Sequence, residues 1–154
     1  MGKRKFSIED ILKLRRFGDL DVSGRGDVAF TISYSDLDKN KNLSEIHIIR
    51  SDGVKAFLVG EGDSSPRWSP DSKLLVFLSR RGAGEKDKGI GVFVWSGVGE
   101  PRRIIWFKYG VNDLKWFDSS ELVVVTPTPR KGFYDEDEDY IVTDKLPVWF
   151  DRRF

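Results

Sequence analysis

From Gly18 onward the chain is a succession of short apolar runs separated by clusters of Gly, Asp, Ser, Asn and Pro. The opening segment reads differently. There Ile8, Ile11, Leu12 and Leu14 fall on one face at helical spacing, and Ser7 stands at the position of an N-cap. Beyond it, β-branched and aromatic runs predict strands over residues 28–34, 45–50, 55–59, 74–79, 91–95, 103–107, 122–126 and 140–143. The expectation is a nearly all-β chain behind one short helix.

The runs also come round again. Trp68, Ser69, Pro70 and Asp71 lead into the apolar run from Leu74 to Leu78, and Trp116 and Asp118 lead in the same way into Leu122 to Val125. Trp68 and Trp116 are 48 residues apart, and a degenerate earlier copy places Val22 46 residues before Trp68. The hairpins between these landmarks repeat as well, with Ile46 lying 46 residues before Val92 and Phe57 47 before Ile104. A unit of about 40–50 residues with four strands is a propeller blade rather than part of a sandwich. The motif suits that role, because Pro70 fixes φ in the turn while Ser69 and Asp71 can bond local N–H groups. The run after it is apolar without alternation, as a strand covered on both faces should be. Trp68 and Trp116 are accordingly expected to pack between blades. The implied organisation is an N-terminal segment over residues 1–18 and an incomplete β-propeller over 19–154. Its repeats lie near 19–64, 65–110 and an unfinished 111–154.

At these residues the chain resembles a known family. Trp68 through Phe77 is similar to the blade motif of TolB-type and prolyl-oligopeptidase-type propellers. The opening Phe6 to Leu14, the acidic loop into Tyr140, Ile141 and Val142, and the following Leu146 to Phe150 resemble the propeller of acylaminoacyl peptidases. Those are serine peptidases of the prolyl oligopeptidase family. The resemblance implies an N-terminal propeller that caps an α/β-hydrolase domain and gates its peptide substrates. It further implies that the later blades and the Ser-Asp-His domain are missing here, since Asp151, Arg152, Arg153 and Phe154 fall within a third blade. No catalytic residue of the family can be carried onto this chain.

Composition narrows the chemistry. The chain has 26 basic and 25 acidic residues, a formal net charge of +1, and so no field to gather nucleic acid or an anionic membrane. It has no Cys, which excludes disulfides and cysteine-ligated metal sites. No run approaches the ~18 apolar residues of a membrane span. Glu9, Asp10 and Lys13 interrupt what would be a signal sequence, so a cytoplasmic location is expected. Gln is absent and Asn occurs three times amid abundant charge, as in proteins that work hot.

A search for catalytic constellations ends without one. There is no Gly-x-Ser-x-Gly elbow; Val94, Trp95, Ser96, Gly97 and Val98 come nearest and read as a hairpin turn. His47 is the single histidine and lies in an alternating strand segment. Asp36 to Asn42 resembles the start of a calcium loop, but Lys41 and His47 stand where Gly and a bidentate Glu are required. The acidic run Asp135 to Asp139 reads as a hydrated loop. Arg25, Gly26 and Asp27 fill a turn, and the glycines around 82–91 lack a dinucleotide-site context.

No enzyme activity, cofactor or metal is therefore expected of the chain itself. The leading expectation is a non-catalytic propeller portion of an acylaminoacyl-peptidase-like protein, partnered by a missing propeller or hydrolase chain, with peptides as ligands by family analogy alone. The alternatives are a free-standing TolB-like interaction module that self-associates through exposed blade faces, and a non-functional remnant. Neither nucleic acid nor membrane is an expected partner.

Overall fold

The structure, a computed structural model, describes residues 5, 7–12, 14–37, 40–60, 62–84 and 89–127. A short helix, α1 (Ile8–Leu12), precedes ten strands. They are β1 (Arg16–Val22), β2 (Val28–Asp36), β3 (Lys41–Ile49), β4 (Lys55–Gly60), β5 (Ser64–Trp68), β6 (Leu75–Ser79), β7 (Ile90–Trp95), β8 (Arg102–Phe107), β9 (Asp113–Trp116) and β10 (Leu122–Val125). Consecutive strands pair antiparallel into two four-stranded sheets, β1-β2-β3-β4 and β5-β6-β7-β8, and β9 with β10 begins a third. Among the described residues the sheets form an open series of blades, the incomplete propeller that the repeat implies.

Three strands escaped the hydrophobic reading, and each is the first of its sheet. β1 reads RFGDLDV, β5 SSPRW and β9 DLKW, all too short or too polar to stand out. β1 and β5 each carry a register shift, between Phe17 and Leu20 and between Ser64 and Arg67. These bulges accommodate Gly18 and Pro66, residues that weaken a regular ladder. The strand expected over residues 140–143 lies outside the described residues.

The helix is also shorter than its periodicity suggests, ending at Leu12 rather than reaching Leu14. Its first turn is closed by a carboxylate. The Ser7 backbone N–H donates to Asp10 Oδ2 at 2.9 Å, and the Ser7 hydroxyl donates to the same oxygen at 3.3 Å. β1 begins at Arg16, two residues before the expected end of the N-terminal segment.

Each sheet has a forward face, toward the next sheet, and a rear face. Ala29, Ile46, Ile48 and Leu58 on the forward face of the first sheet pack against Leu75, Phe77, Phe93 and Trp95 on the rear face of the second. Val76, Leu78 and Val92 then face Leu114 of the third sheet, together with Trp116, Leu122 and Val124. β6 is thus buried at every residue, which explains its unbroken apolar run.

Polar bonds between the first strands of the sheets hold the blades in order. Asp21 Oδ2 accepts the Trp68 backbone N–H at 2.6 Å, and Asp19 Oδ2 accepts the N–H and the hydroxyl of Ser65, both at 3.2 Å. Trp116 Nε1 donates to the Arg67 carbonyl at 3.0 Å. On the β3–β4 turn, Arg50 Nη2 donates to the Gly97 carbonyl of the β7–β8 turn at 2.8 Å.

One further contact ties the first two sheets. Asp63, in the link from β4 to β5, is fully buried, and its carboxylate accepts from Arg81 Nε at 3.3 Å and Nη2 at 2.5 Å. The Arg81 guanidinium also lies over the rings of Phe77 and Phe93, 5.4 and 6.0 Å from their centroids. Gly60 makes room for this pair, since a Cβ there would stand 2.1 Å from Arg81 Nε.

Candidate functional site

The motif residues Val22, Trp68 to Asp71, Trp116 and Asp118 all lie where the first strand of a sheet turns into the second, whereas Ile46, Val92, Phe57 and Ile104 lie in third and fourth strands. Val22 pairs with Val28, Trp68 with Leu75 and Trp116 with Leu122. The next residue closes each turn through its backbone N–H, from Ser23 to the Asp27 carbonyl, Ser69 to Leu74 and Phe117 to Glu121, at 2.8, 2.8 and 2.9 Å. The turn interior is then satisfied by a side-chain oxygen. Ser23 Oγ accepts from the N–H of Arg25 and Asp27. Ser69 Oγ accepts from Lys73 and Leu74 while donating to Asp71 Oδ1 at 2.7 Å. In the third copy Phe117 replaces the serine, and the Asp118 carboxylate takes over one residue later, accepting from Ser120 and Glu121. The Ser69 hydroxyl, followed by the Lys73 N–H, holds the Asp71 carboxyl below its ordinary range. The Ser120 N–H does the same for Asp118. Pro70 sits exposed at the turn.

The two tryptophans lie between sheets but are bonded differently. Trp68 packs on the core between the first and second sheets. Its indole N–H is buried with no hydrogen-bond partner among the described residues. Trp116 packs between the second and third sheets and has the Arg67 carbonyl as acceptor.

His47 lies on the rear face of the first sheet. Its ring sits between Phe30 and Phe57, with centroids 5.7 and 6.0 Å away. His47 Nε2 is 3.2 Å from Glu45 Oε2, and the Tyr34 hydroxyl donates to Glu45 Oε1 at 2.6 Å. The Tyr34 hydrogen bond, then that of His47, lowers the Glu45 pKa, and the same Glu45 contact raises that of Tyr34. A carboxylate orienting a histidine is two-thirds of a hydrolase triad. The third group here is a phenol bonded to the carboxylate, so the arrangement contains no activated nucleophile.

The remaining candidates resolve into turns. Ser96 and Gly97 lie in the β7–β8 turn, where the Trp95 indole N–H donates to the Gly99 carbonyl at 2.9 Å. The Asn42 side chain accepts from the Ser35 hydroxyl across β2–β3, and Asp38 and Lys39 lie outside the described residues. Arg25 and Gly26 form the β1–β2 turn, with Gly26 at φ 85°. Gly82, Ala83 and Gly84 follow β6, and Gly89 and Gly91 open β7. Asp135 to Asp139 are outside the described residues. Among the described residues no three His, Asp or Glu side chains gather as metal ligands, and no helix is long and apolar enough to cross a membrane. Clefts of about 510 and 450 Å³ flank the junction of the first two sheets. Lys41 and Arg80 line the first; Arg25, Arg50 and Lys73 line the second. Asp27, Ser72 and Ser96 also line the second, where the Asp27 carboxylate accepts the Ser51 backbone N–H, and neither lining includes a histidine. Sequence reasoning missed the Asp63–Arg81 pair, because its partners have no motif and meet only when the sheets stack.

These sheets define a β-propeller fold seen in part. The comparisons make the likeness specific. No family model matches the chain. It is 28% identical over 141 residues to the uncharacterized peptidase YuxL of Bacillus subtilis, covering 89% of this chain and 21% of that protein. It superposes on the acylaminoacyl peptidase of Pyrococcus horikoshii with a TM-score of 0.71 and 27% identity, over 92% of this chain and 21% of that enzyme. It also superposes on the β-propeller domain of the trilobed protease from Pyrococcus furiosus, with a TM-score of 0.61 and 25% identity over 73% of the chain. The chain is therefore similar to peptidase propellers, and it spans about a fifth of the length of the peptidases it matches.

Proposed function

We propose that this chain is the N-terminal propeller portion of an acylaminoacyl-peptidase-like protein, and that it contributes no catalytic group. Its role is to cap a serine hydrolase domain and to gate the entry of N-acylated peptides or short oligopeptides. The observation that carries this reading is the stack of consecutive blades superposing on an acylaminoacyl peptidase over 92% of the chain but 21% of the enzyme. The missing Gly-x-Ser-x-Gly sequence and the phenol beside Glu45 and His47 support it. The 154-residue chain should leave acyl-amino-acid esters and amides unhydrolysed. Turnover that a serine-directed inhibitor abolishes, in a preparation free of other proteins, would overturn the non-catalytic reading.

A second reading, a free-standing interaction module, is favoured by one observation: the rear face of the first sheet is apolar and exposed, with Phe57 and Val59 both at 64%. The coding sequence around this segment separates the two. Further blades and a Gly-x-Ser-x-Gly elbow in the same frame belong to the peptidase reading, and their absence to the module.

A further inference from the structure

Each of the first two sheets has four antiparallel strands, so the chain enters and leaves it at the same end, where the link through Asp63 runs from β4 to β5. The β1–β2, β3–β4, β5–β6 and β7–β8 turns all lie at the other end. The cleft of about 450 Å³ is lined entirely by these four turns and the Trp68 that leads into one of them. Further blades stack on the faces of the sheets, and a domain that follows the last blade continues from its fourth strand at the link end. Neither is placed over these turns, so the cleft is one that two complete sheets make by themselves.

Its chemistry is set by two arginines. Arg50 is half-buried and held from two sides: its Nη2 donates to the Gly97 carbonyl at 2.8 Å, and its guanidinium lies over the Trp95 ring, 5.9 Å from the centroid. Gly97 permits this approach, since its φ is 95° and a Cβ there would stand 3.1 Å from Arg50 Nη2. Arg25 is exposed in the β1–β2 turn. Neither arginine has a carboxylate partner among the described residues. The one acid of the lining, Asp27, is already engaged, for its Oδ1 accepts the Ser51 N–H at 2.8 Å and ties the turn that carries Arg25 to the turn that carries Arg50. Lys73 is paired with Asp71 at 3.3 Å. Two guanidinium forks therefore stand ready for an acid from outside, and such forks take a carboxylate or a phosphate through parallel N–H bonds. Trp68 and Leu74 add an apolar wall to the same cleft, whose volume is that of a small-molecule site.

We propose that this cleft binds a small ligand carrying an oxyanion, a carboxylate or a phosphate, on an apolar body. Arg25 and Arg50 hold the oxyanion, and Trp68 and Leu74 receive the body. The site is built from the first two sheets alone and stands apart from the hydrolase reading.

The test is titration calorimetry on the full 154-residue chain with three probes: N-acetyl-leucyl-phenylalanine, the same dipeptide as its C-terminal amide, and phenyl phosphate. At least one of the two anions should bind with Kd of about 1 mM or tighter, and the one that binds more tightly names the source of the oxyanion. The amide should not bind, and added salt should weaken the binding of the anions. Arg25→Gln changes an exposed side chain without a partner, so it keeps the fold, and it should weaken binding at least about tenfold. Arg50→Gln should do the same; because it also gives up the bond to Gly97, Arg25→Gln is the deciding variant. Arg16→Gln, at the link end, should leave binding unchanged. Failure of both anions to bind, an amide that binds as well as the acid, an Arg25→Gln chain that binds like wild type, or equal losses in all three variants overturns the proposal.

Discussion

Removing the Arg81 guanidinium would leave the Asp63 carboxylate buried and without its partner. Asp63 has no exposed surface and accepts two bonds from Arg81, whose own side chain is 19% exposed. Breaking a buried pair from one side costs about 3–5 kcal/mol, most of it the stranded charge. Arg81→Ala also loses the contact with Phe77 and Phe93, worth about 0.5–2 kcal/mol. It belongs at the upper end, near 5 kcal/mol. Asp63→Ala strands the more exposed partner, which keeps its stacking and part of its hydration, and should cost about 2–3 kcal/mol. The double variant should cost less than the sum, since the second change removes a charge the first has orphaned. At about 2–4 °C per kcal/mol for a chain of this size, Arg81→Ala should lower Tm by more than 10 °C. Urea unfolding followed by tryptophan fluorescence measures all three. Gly60→Ala gives an uncharged control, because its methyl would displace Arg81 Nε, and it should reproduce most of the Asp63→Ala loss. An Arg81→Ala cost below 1 kcal/mol, or strictly additive losses, would refute the view that this pair locks the first two sheets.

Two other outcomes follow. Trp68→Phe removes an N–H that has no partner among the described residues, whereas Trp116→Phe breaks a 3.0 Å bond to the Arg67 carbonyl. Allowing for the lost ring area in each, Trp116→Phe should cost about 1 kcal/mol more in urea unfolding. For Glu45 the folded pKa is depressed, chiefly by the Tyr34 hydroxyl, so its stabilisation is present above the unfolded carboxylate pKa of about 4.3 and fades as pH falls through the folded value. Glu45→Gln should therefore be less stable than wild type at pH 7 and converge toward it in acid; a constant gap from pH 7 to 3 would show that the carboxylate charge is not what matters.

The blade repeat was legible because it depends on local chemistry. A turn that must satisfy its own N–H groups demands Ser or Asp near fixed positions, and a strand covered on both faces demands an unbroken apolar run. Ser69, Asp71, Asp118 and β6 display both requirements. The first strands of the sheets were not legible for the opposite reason. β1, β5 and β9 pair with a neighbour on one side and use polar residues such as Asp19 and Asp21 to bond the next blade, so their sequences resemble loops. The period itself could have revealed them, since a four-stranded unit read as three strands has one left to find. The Glu45–His47–Tyr34 cluster was half visible: the histidine stood out, but alternation cannot say which neighbours a strand partner will supply.

The bonds from blade to blade share a property that bears on how the chain comes into being. Asp19 to Ser65, Asp21 to Trp68, Arg50 to Gly97 and Arg67 to Trp116 join residues 46, 47, 47 and 49 apart. No residue in these bonds waits for anything more than one blade downstream. A ribosome releasing the chain from its N-terminus can complete each meander and lay it on the one before, in the manner of a zipper closing from one end. In that order the aromatic row of the first sheet is complete before the second sheet is laid down. Its central imidazole and carboxylate, standing where the second sheet has Phe93 and Gly91, keep that waiting surface wetter than a row of phenylalanines would be.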